Sequence, residues 1–231
     1  MIKHIIFDCF GTLIDTGNNS IKAVEQILLN VGAHADAREF YKVWKAKKRQ
    51  KMNMPVFLNE KTLFEISLSE TFAQYGIAAD ASKEVKPMIL SLFAERLVFP
   101  DVHEALGKLA KEHVDMAIGS TTDTDSLRYY LEWNQLSFSH IYTSENMQVY
   151  KPNVKFYETI LRRSGWLAEE CLFVGDSYLD DVCGPQKIGM KTALLDRKAF
   201  YKNAELSPQP DFVIHSLFEL VNIMAACQEW N

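Results

Sequence analysis

Apolar and polar residues follow two different rhythms along the chain. The first apolar run, HIIFDCF, spans residues 4–10 and predicts a short buried strand. Between residues 19 and 96 the apolar residues recur at helical spacing, and no convincing strand pattern interrupts them. Beyond residue 97, short apolar runs such as MAIG, IYT, CLFVG and TALL alternate with amphipathic stretches. The pattern therefore predicts one strand, then a run of helices, then a strand–helix alternation.

The strand–helix alternation indicates the fold class. Strands that alternate with helices are typical of an α/β fold with a doubly wound, Rossmann-like parallel sheet covered on both faces. The all-helical stretch interrupts this pattern and reads as an inserted cap. We therefore predict a core domain of residues 1–15 and 97–231, and a helical cap domain of residues 16–96.

One predicted cap helix, AREFYKVWKAKKRQKM, is amphipathic and strongly basic. Its polar side carries the run Lys45, Lys47, Lys48, Arg49 and Lys51. A charge run of this kind is usually a solvated helix face. The alternative, which we rank second, is that this face points into a ligand cleft.

Composition limits the classes of partner. The chain has 231 residues, a formal net charge of −5 and 48% hydrophobic residues, which is ordinary for a globular protein. It carries no basic footprint for nucleic acid. The four cysteines form no CxxC pair, and the N-terminal sequence shows no secretory signal and no run long enough to span a membrane. We expect a cytoplasmic protein that acts on a small molecule, with no nucleic-acid or membrane partner.

Polar residues with chemical potential follow four of the predicted strands. Asp8 and Thr12 follow the first strand, Ser120 follows the second, Lys151 precedes a proline further on, and Asp176 ends CLFVG. Open parallel sheets bind ligands beyond the carboxyl ends of their strands. These side chains are therefore expected to converge in one cleft, where a buried carboxylate must be paired, metal-bound or reactive.

The segments that carry these residues resemble a known set of motifs. FDCFGTLID, IGST, YKP and VGDSYLDD are similar, in order and spacing, to the four motifs of the haloacid dehalogenase-like hydrolases. The resemblance implies that Asp8 is a nucleophile that forms a covalent aspartyl intermediate. It also implies that Thr12 and Ser120 hydrogen-bond the substrate oxygens, and that Lys151 stabilises the developing negative charge.

The fourth motif implies a metal ion. By resemblance, Asp176 would hold Mg²⁺ together with Asp8 and the backbone carbonyl of Phe10, and Asp181 would orient these ligands. Asp180 competes with Asp181 for that role, although a charge at the start of a helix is its simpler interpretation.

Phe10 departs from the pattern of the family's phosphatases. They usually carry a second aspartate two residues after the nucleophile, which serves as general acid and base, and phenylalanine cannot move a proton. The 2-haloacid dehalogenases of the family have an aromatic residue there, and the phosphonatases a small one. Gly11 and Thr121 are further candidates for substrate contact, and Lys45 stands where the dehalogenases carry an arginine after tryptophan.

Three functional hypotheses follow from the resemblance. The Gly-Asp of VGDSYLDD is the metal-binding form of the motif and favours a Mg²⁺-dependent phosphatase of a small phosphorylated metabolite. Phe10 favours a metal-free 2-haloacid dehalogenase, because halide leaves without a proton. A catalytically weak relative that binds or regulates through the same cleft is the third hypothesis.

Overall fold

A parallel sheet forms the centre of the protein. The structure is a computed structural model that describes residues 1–112 and 114–228, with Cys227 and Gln228 in backbone only; residue 113 and residues 229–231 of the predicted core lie outside the described residues. Within this part of the chain the sheet has six strands in the order β3-β2-β1-β4-β5-β6, and every neighbouring pair is parallel. The strands are β1 (His4–Phe7), β2 (Asp115–Ser120), β3 (His140–Thr143), β4 (Cys171–Gly175), β5 (Lys191–Leu195) and β6 (Phe212–Ile214).

Helices cover both faces of this sheet, so the predicted doubly wound α/β fold is confirmed. Alternate residues of β1 enter different cores: Ile5 and Phe7 pack on one face, and Ile6 on the other. The helices of the sheet region are α6 (Val102–Leu109), α7 (Thr124–Trp133), α8 (Ser144–Met147), α9 (Val154–Ser164), α10 (Gly184–Gln186) and α11 (Leu217–Gln228). The segment after Asp176 is a π-helix over Tyr178–Cys183 that continues into α10, so Asp180 lies near the start of a helix.

The register of the central strands determines which side chains meet at the sheet edge. Phe7 of β1 pairs with Ile118 of β2 and with Val174 of β4. The residues that follow these three strands therefore emerge at the same edge of the sheet. The backbone N–H of Asp8 continues the ladder by donating to the Val174 carbonyl at 2.8 Å.

The segment between β1 and α6 is helical, as its periodicity predicts. It consists of α1 (Asn19–Asn30), α2 (Ala37–Lys51), α3 (Glu60–Tyr75), α4 (Ala81–Glu84) and α5 (Lys86–Ser91), which we call the helical block. The helical block has a hydrophobic core of its own that includes Phe40, Trp44 and Phe72. The indole N–H of Trp44 donates to the Phe64 carbonyl at 3.0 Å and to Ser67 Oγ at 2.8 Å, which ties α2 to α3.

Two antiparallel segments connect the helical block to the sheet. The Asp15 N–H donates to the Leu97 carbonyl at 2.9 Å, and the Phe99 N–H donates to the Leu13 carbonyl at 3.0 Å. Both passages between the two regions therefore lie side by side, directly after the loop that carries Asp8. Among the described residues, no helix combines the length and the apolar character needed to cross a bilayer.

Candidate active site

Lys151 connects two acids at the carboxyl edge of the sheet. Its Nζ lies 2.7 Å from Asp8 Oδ1 and 2.7 Å from Asp181 Oδ1, and all three side chains are buried. Burial by itself would lower the pKa of the Lys151 ammonium, but the charges of Asp181 and Asp8 outweigh it and raise that pKa. Lys151 is therefore a fixed cation beside the carboxylate of Asp8.

The Thr12 side chain lies between Asp8 and the third acid of the site, Asp176. Its Oγ1 is 3.3 Å from Asp8 Oδ2 and 3.2 Å from Asp176 Oδ1, so both carboxylates accept from the same hydroxyl group, which has one hydrogen to donate. The absence of a side chain at Gly11 allows Asp176 to lie against the loop: the φ of Gly11 is +95°, and a Cβ there would lie 2.5 Å from Asp176 Oδ2. Burial, together with the charge of Asp8, raises the pKa of Asp176 to about 6.

The acids of the site form a group with the chemistry of a metal centre. Asp8, Asp176 and Asp181 each offer a carboxylate oxygen, and these oxygens lie within 4.8 Å of one another. Burial raises the pKa of Asp181 despite the nearby Lys151 ammonium, and Asp8 and Asp176 raise it further. The single Lys151 ammonium does not balance the charge of three close carboxylates, and a hard divalent cation prefers oxygen ligands of this kind. The donor set fits Mg²⁺.

Phe10 faces the cleft and is part of an aromatic cluster. It lines the same cavity as Asp8, and its ring lies against Tyr130. The Arg96 guanidinium is 5.6 Å from the Phe10 ring centroid and is itself buried. The position two residues after Asp8 therefore contributes an apolar surface and no titratable group.

A cavity of about 620 Å³ lies between the sheet edge and the helical block. Thr121 and Lys45 line it, whereas Thr12 and Ser120 are buried and do not belong to its lining. Ser120 ends β2 in register with Thr143 of β3. The predicted residues that line the cavity are Asp8, Phe10, Lys45, Thr121, Lys151, Asp176 and Asp181.

Part of the basic run of α2 lines this cavity, which differs from the interpretation that we ranked first: Lys45, Lys48 and Arg49 belong to the lining, whereas Lys47 and Lys51 do not, and Lys51 pairs with Glu70. Lys42, Lys45, Lys48 and Arg49 all line the cavity opposite the acids. Helical periodicity shows which residues share a face but not what that face meets, because the packing of α2 against α3 sets its orientation. Among the described residues no carboxylate lies within ion-pair distance of Lys45.

Asp180 does more than begin a helix. Both of its carboxylate oxygens accept hydrogen bonds from Arg49 of α2, which lies 131 positions away along the chain. Sequence analysis also did not single out Glu60, which lines the cavity, or Asp123, which is buried near it. Neither belongs to a motif, and their partners are distant in sequence, so no local signal identifies them.

The comparisons with known proteins agree with this geometry. A family model described as haloacid dehalogenase-like hydrolase matches residues 5–195. The chain is 25% identical over 228 residues to the (S)-2-haloacid dehalogenase 4A of Burkholderia cepacia, which covers 97% of this chain and 95% of that protein. It is also 25% identical over 228 residues to the phosphoglycolate phosphatase of Photorhabdus laumondii, which covers 96% of this chain and 92% of that protein.

A solved structure shows the same fold. The crystal structure of the HAD-hydrolase YfnB from Bacillus subtilis, bound to magnesium, superimposes on this chain with a TM-score of 0.76 at 19% identity. The match covers 96% of this chain and 98% of that one. Helices and sheet thus have the same overall arrangement in both proteins.

Proposed function

The chain belongs to the haloacid dehalogenase-like hydrolase family, and on that premise we propose that it is a Mg²⁺-dependent phosphatase of a small phosphorylated metabolite. The observation that carries this proposal is the group of three carboxylates, Asp8, Asp176 and Asp181, around one buried lysine. A dehalogenase that works without metal has no need for the acid at position 176.

In the proposed reaction Asp8 is the nucleophile. A carboxylate oxygen of Asp8 forms a bond to phosphorus as the bond between phosphorus and the ester oxygen breaks, and the ester oxygen leaves with the bonding electrons and takes its proton from water. Water then attacks the phosphorus of this aspartyl phosphate and releases inorganic phosphate and the free carboxylate. Lys151 holds Asp8 in place and stabilises the negative charge. Thr12 and Ser120 are the proposed hydrogen-bond donors to the phosphoryl oxygens; both are buried outside the cavity lining, and the Thr12 hydroxyl has to turn away from Asp8 and Asp176 to reach the substrate.

Asp8, Asp176 and the backbone carbonyl of Phe10 would hold Mg²⁺, and Asp181 would orient them. When bound, Mg²⁺ would neutralise charge on the phosphoryl group and reduce the repulsion between it and Asp8. Asp181 supports this positioning role because it binds both Lys151 and the backbone N–H of Ser177, the latter at 2.9 Å.

We assign residues 16–96, which contain the helical block, the role of a cap domain that closes over the cleft. Two observations support a cap domain distinct from the sheet region: it has its own hydrophobic core, and its two connections to the sheet lie side by side. Lys45 lines the cavity without an ion-pair partner among the described residues, so the proposed substrate carries negative charge beyond its reacting phosphoryl group. From the sheet side Thr121 would contact the substrate, and Gly11, which lies outside the cavity lining, would act by allowing Asp176 to approach the loop after Asp8.

A 2-haloacid dehalogenase is the second candidate, and Phe10 is the observation that favours it. Halide needs no proton to leave, whereas an alkoxide does, and no acid stands at position 10. The similarity to a (S)-2-haloacid dehalogenase over 97% of the chain is as extensive as that to a phosphatase. A weakly active binding protein is the third possibility.

One panel of assays separates the three candidates. Phosphate monoesters and 2-chloropropionate are each incubated with the protein in Mg²⁺ and in EDTA, and phosphate and chloride release are measured. We expect phosphate release that requires Mg²⁺. Chloride release in EDTA without phosphate release would replace the phosphatase with the dehalogenase, and absence of both would leave the binding protein.

A further inference from the structure

Asp123 occupies a position at which an aspartate normally caps its own helix. It directly precedes α7, where an acidic side chain usually accepts a backbone N–H of the first turn. The Asp123 side chain makes no such bond. Instead, Glu145 accepts the Thr124 N–H at 2.8 Å, and Asp125 accepts the Ser126 N–H at 2.7 Å. The carboxylate of Asp123 is therefore available to another part of the protein.

That other part is the first turn of α3 in the helical block. Asp123 Oδ1 accepts the Glu60 N–H at 2.7 Å, and Oδ2 accepts the Lys61 N–H at 3.3 Å. The adjacent Asn59 side chain accepts only the Thr62 N–H, so Asp123 supplies the partners for the two preceding donors. One buried carboxylate thus lies at the N-terminal ends of two helices, both of which favour a negative charge there.

Neighbouring residues hold the same turn from the sheet side. Thr122 Oγ1 donates to Glu60 Oε2 at 2.8 Å, and the Tyr150 hydroxyl donates to the Leu58 carbonyl at 2.9 Å. Glu60 in turn forms an ion pair with Lys48 of α2. Two residues of the cavity lining, Glu60 and Lys48, therefore depend on this contact for their position.

We propose that Asp123 is a positioning residue that docks the helical block onto the sheet by capping α3 across the cleft. Thr121, which lines the cavity, stands only two residues before it, so the dock lies at the rim of the site. On the opposite rim, Arg49 of the block binds Asp180. The docked arrangement keeps the basic face of α2 over the acids. The kinetic part of this proposal rests on the proposed function, whereas the docking part does not.

The test compares Asp123→Ala with Asp36→Ala by hydrogen exchange. Asp36 is a matched control: its carboxylate also accepts two backbone N–H groups, of Arg38 and Glu39 at 2.9 Å, but it caps its own helix α2. Loss of a cap corresponds to about 2- to 30-fold faster exchange. In Asp123→Ala we expect this change at residues 58–62, with protection retained in the later turns of α3. In Asp36→Ala we expect it only at the start of α2.

The kinetic readout separates undocking from loss of folded protein. Substrate binding must first restore the docked arrangement, so KM for a phosphate ester should rise by about 2- to 30-fold while kcat changes less than about twofold. Unfolded protein would lower kcat with KM unchanged. If Asp123→Ala folds poorly, Asp123→Asn, which keeps one acceptor oxygen, and Thr122→Val provide milder changes with the same expected direction.

Exchange at residues 58–62 as slow as in the wild type in these variants would overturn the docking proposal. Faster exchange with an unchanged KM would overturn the kinetic part alone. If the wild type releases no phosphate, the proposed function fails, yet the exchange measurement still decides whether Asp123 docks the block.

Discussion

The ring of Phe10 lies edge-on to the ring of Tyr130, with the two centroids 5.4 Å apart. The buried guanidinium of Arg96 lies 5.3 Å from the Tyr130 centroid and close to both rings. Arg96 belongs to the segment that returns from the helical block to the sheet. Phe10 therefore packs against the connection between the two regions while it also faces the cleft. Phosphatases of the haloacid dehalogenase-like family usually carry an acid at this position.

The missing acid predicts that the leaving group controls the phosphatase rate. General acid catalysis contributes on the order of 10²- to 10⁴-fold, and Phe10 cannot provide it. Aryl and acyl phosphates should therefore be hydrolysed much faster than alkyl phosphates. The measurement is kcat/KM across esters of graded leaving-group pKa. A flat dependence would show that another residue supplies the proton.

Phe10→Asp should restore only part of the activity on alkyl phosphates. The new carboxylate would lie beside the Arg96 guanidinium, which would hold it ionised and turn it away from the leaving group. The same ester series, measured on the variant, should show a shallower dependence on leaving-group pKa. A dependence as steep as in the wild type would mean that the carboxylate does not reach the substrate.

Asp8→Asn should lower kcat by about 10³-fold or more, because an amide cannot act as this nucleophile. Asp15→Asn is the matched control: it lies on the same loop, but it is exposed and its Oδ1 accepts the Gly17 N–H. It should retain near-normal kcat. Circular dichroism and thermal unfolding verify that both variants are folded. Activity of Asp8→Asn near that of the wild type would exclude Asp8 as the nucleophile.

Mg²⁺ should stabilise the folded protein. At about 100 times its dissociation constant, a ligand that binds only the folded state adds about 2.7 kcal/mol to the free energy of unfolding. Asp176→Asn should abolish the increase in Tm. Asp180→Asn should preserve it, because that carboxylate is engaged by Arg49. No increase at millimolar Mg²⁺, together with activity in EDTA, would favour the dehalogenase.

Lys45→Ala should weaken binding of substrates that carry a second anionic group. One solvent-exposed ion pair corresponds to about a 2- to 5-fold increase in KM. Lys47→Ala on the same helix is the control, since Lys47 does not line the cavity. KM is compared for a simple alkyl phosphate and a carboxylated one. Equal effects on both substrates would show that Lys45 does not contact the second anion.

Asp123 should make stability depend on pH in a defined direction. Burial, together with the charges of Glu60 and Glu145, raises the pKa of Asp123 to about 6 from 3.8. Between these values the folded protein keeps a proton that the unfolded chain has lost, so the free energy of unfolding falls as pH rises through this window. The loss should be on the order of 2 to 3 kcal/mol, because one pKa unit corresponds to about 1.4 kcal/mol and the carboxylate is buried.

Asp123→Asn isolates this contribution. The variant cannot titrate at position 123, whereas Asp176 and Asp181 titrate in both proteins and cancel in the comparison. Urea unfolding from about pH 4 to about pH 7 should give a steeper decrease for the wild type than for the variant. Parallel curves would show that Asp123 does not titrate in this range.

The sequence by itself determined the parallel sheet and the acids at its edge. Asp8 and Asp176 follow apolar strands, and the carboxyl ends of neighbouring parallel strands must meet, so local patterns were enough to bring them together. Two signals at the ends of α3 were local as well: the Asn59 side chain accepts the Thr62 N–H, and Gly76 adopts a φ of +66°. These features depend on residues only a few positions apart.

Only the tertiary structure decided what the helical block faces. Arg49 meets Asp180 from 131 positions away, and Asp123 reaches Glu60 across 63. Periodicity defines the basic face of α2 but does not give its orientation, which depends on how α2 packs against α3 and how two short connections set the block on the sheet. Asp123 was hidden for the same reason: its position predicts a cap of its own helix, whereas packing brings a second helix end within reach of its carboxylate.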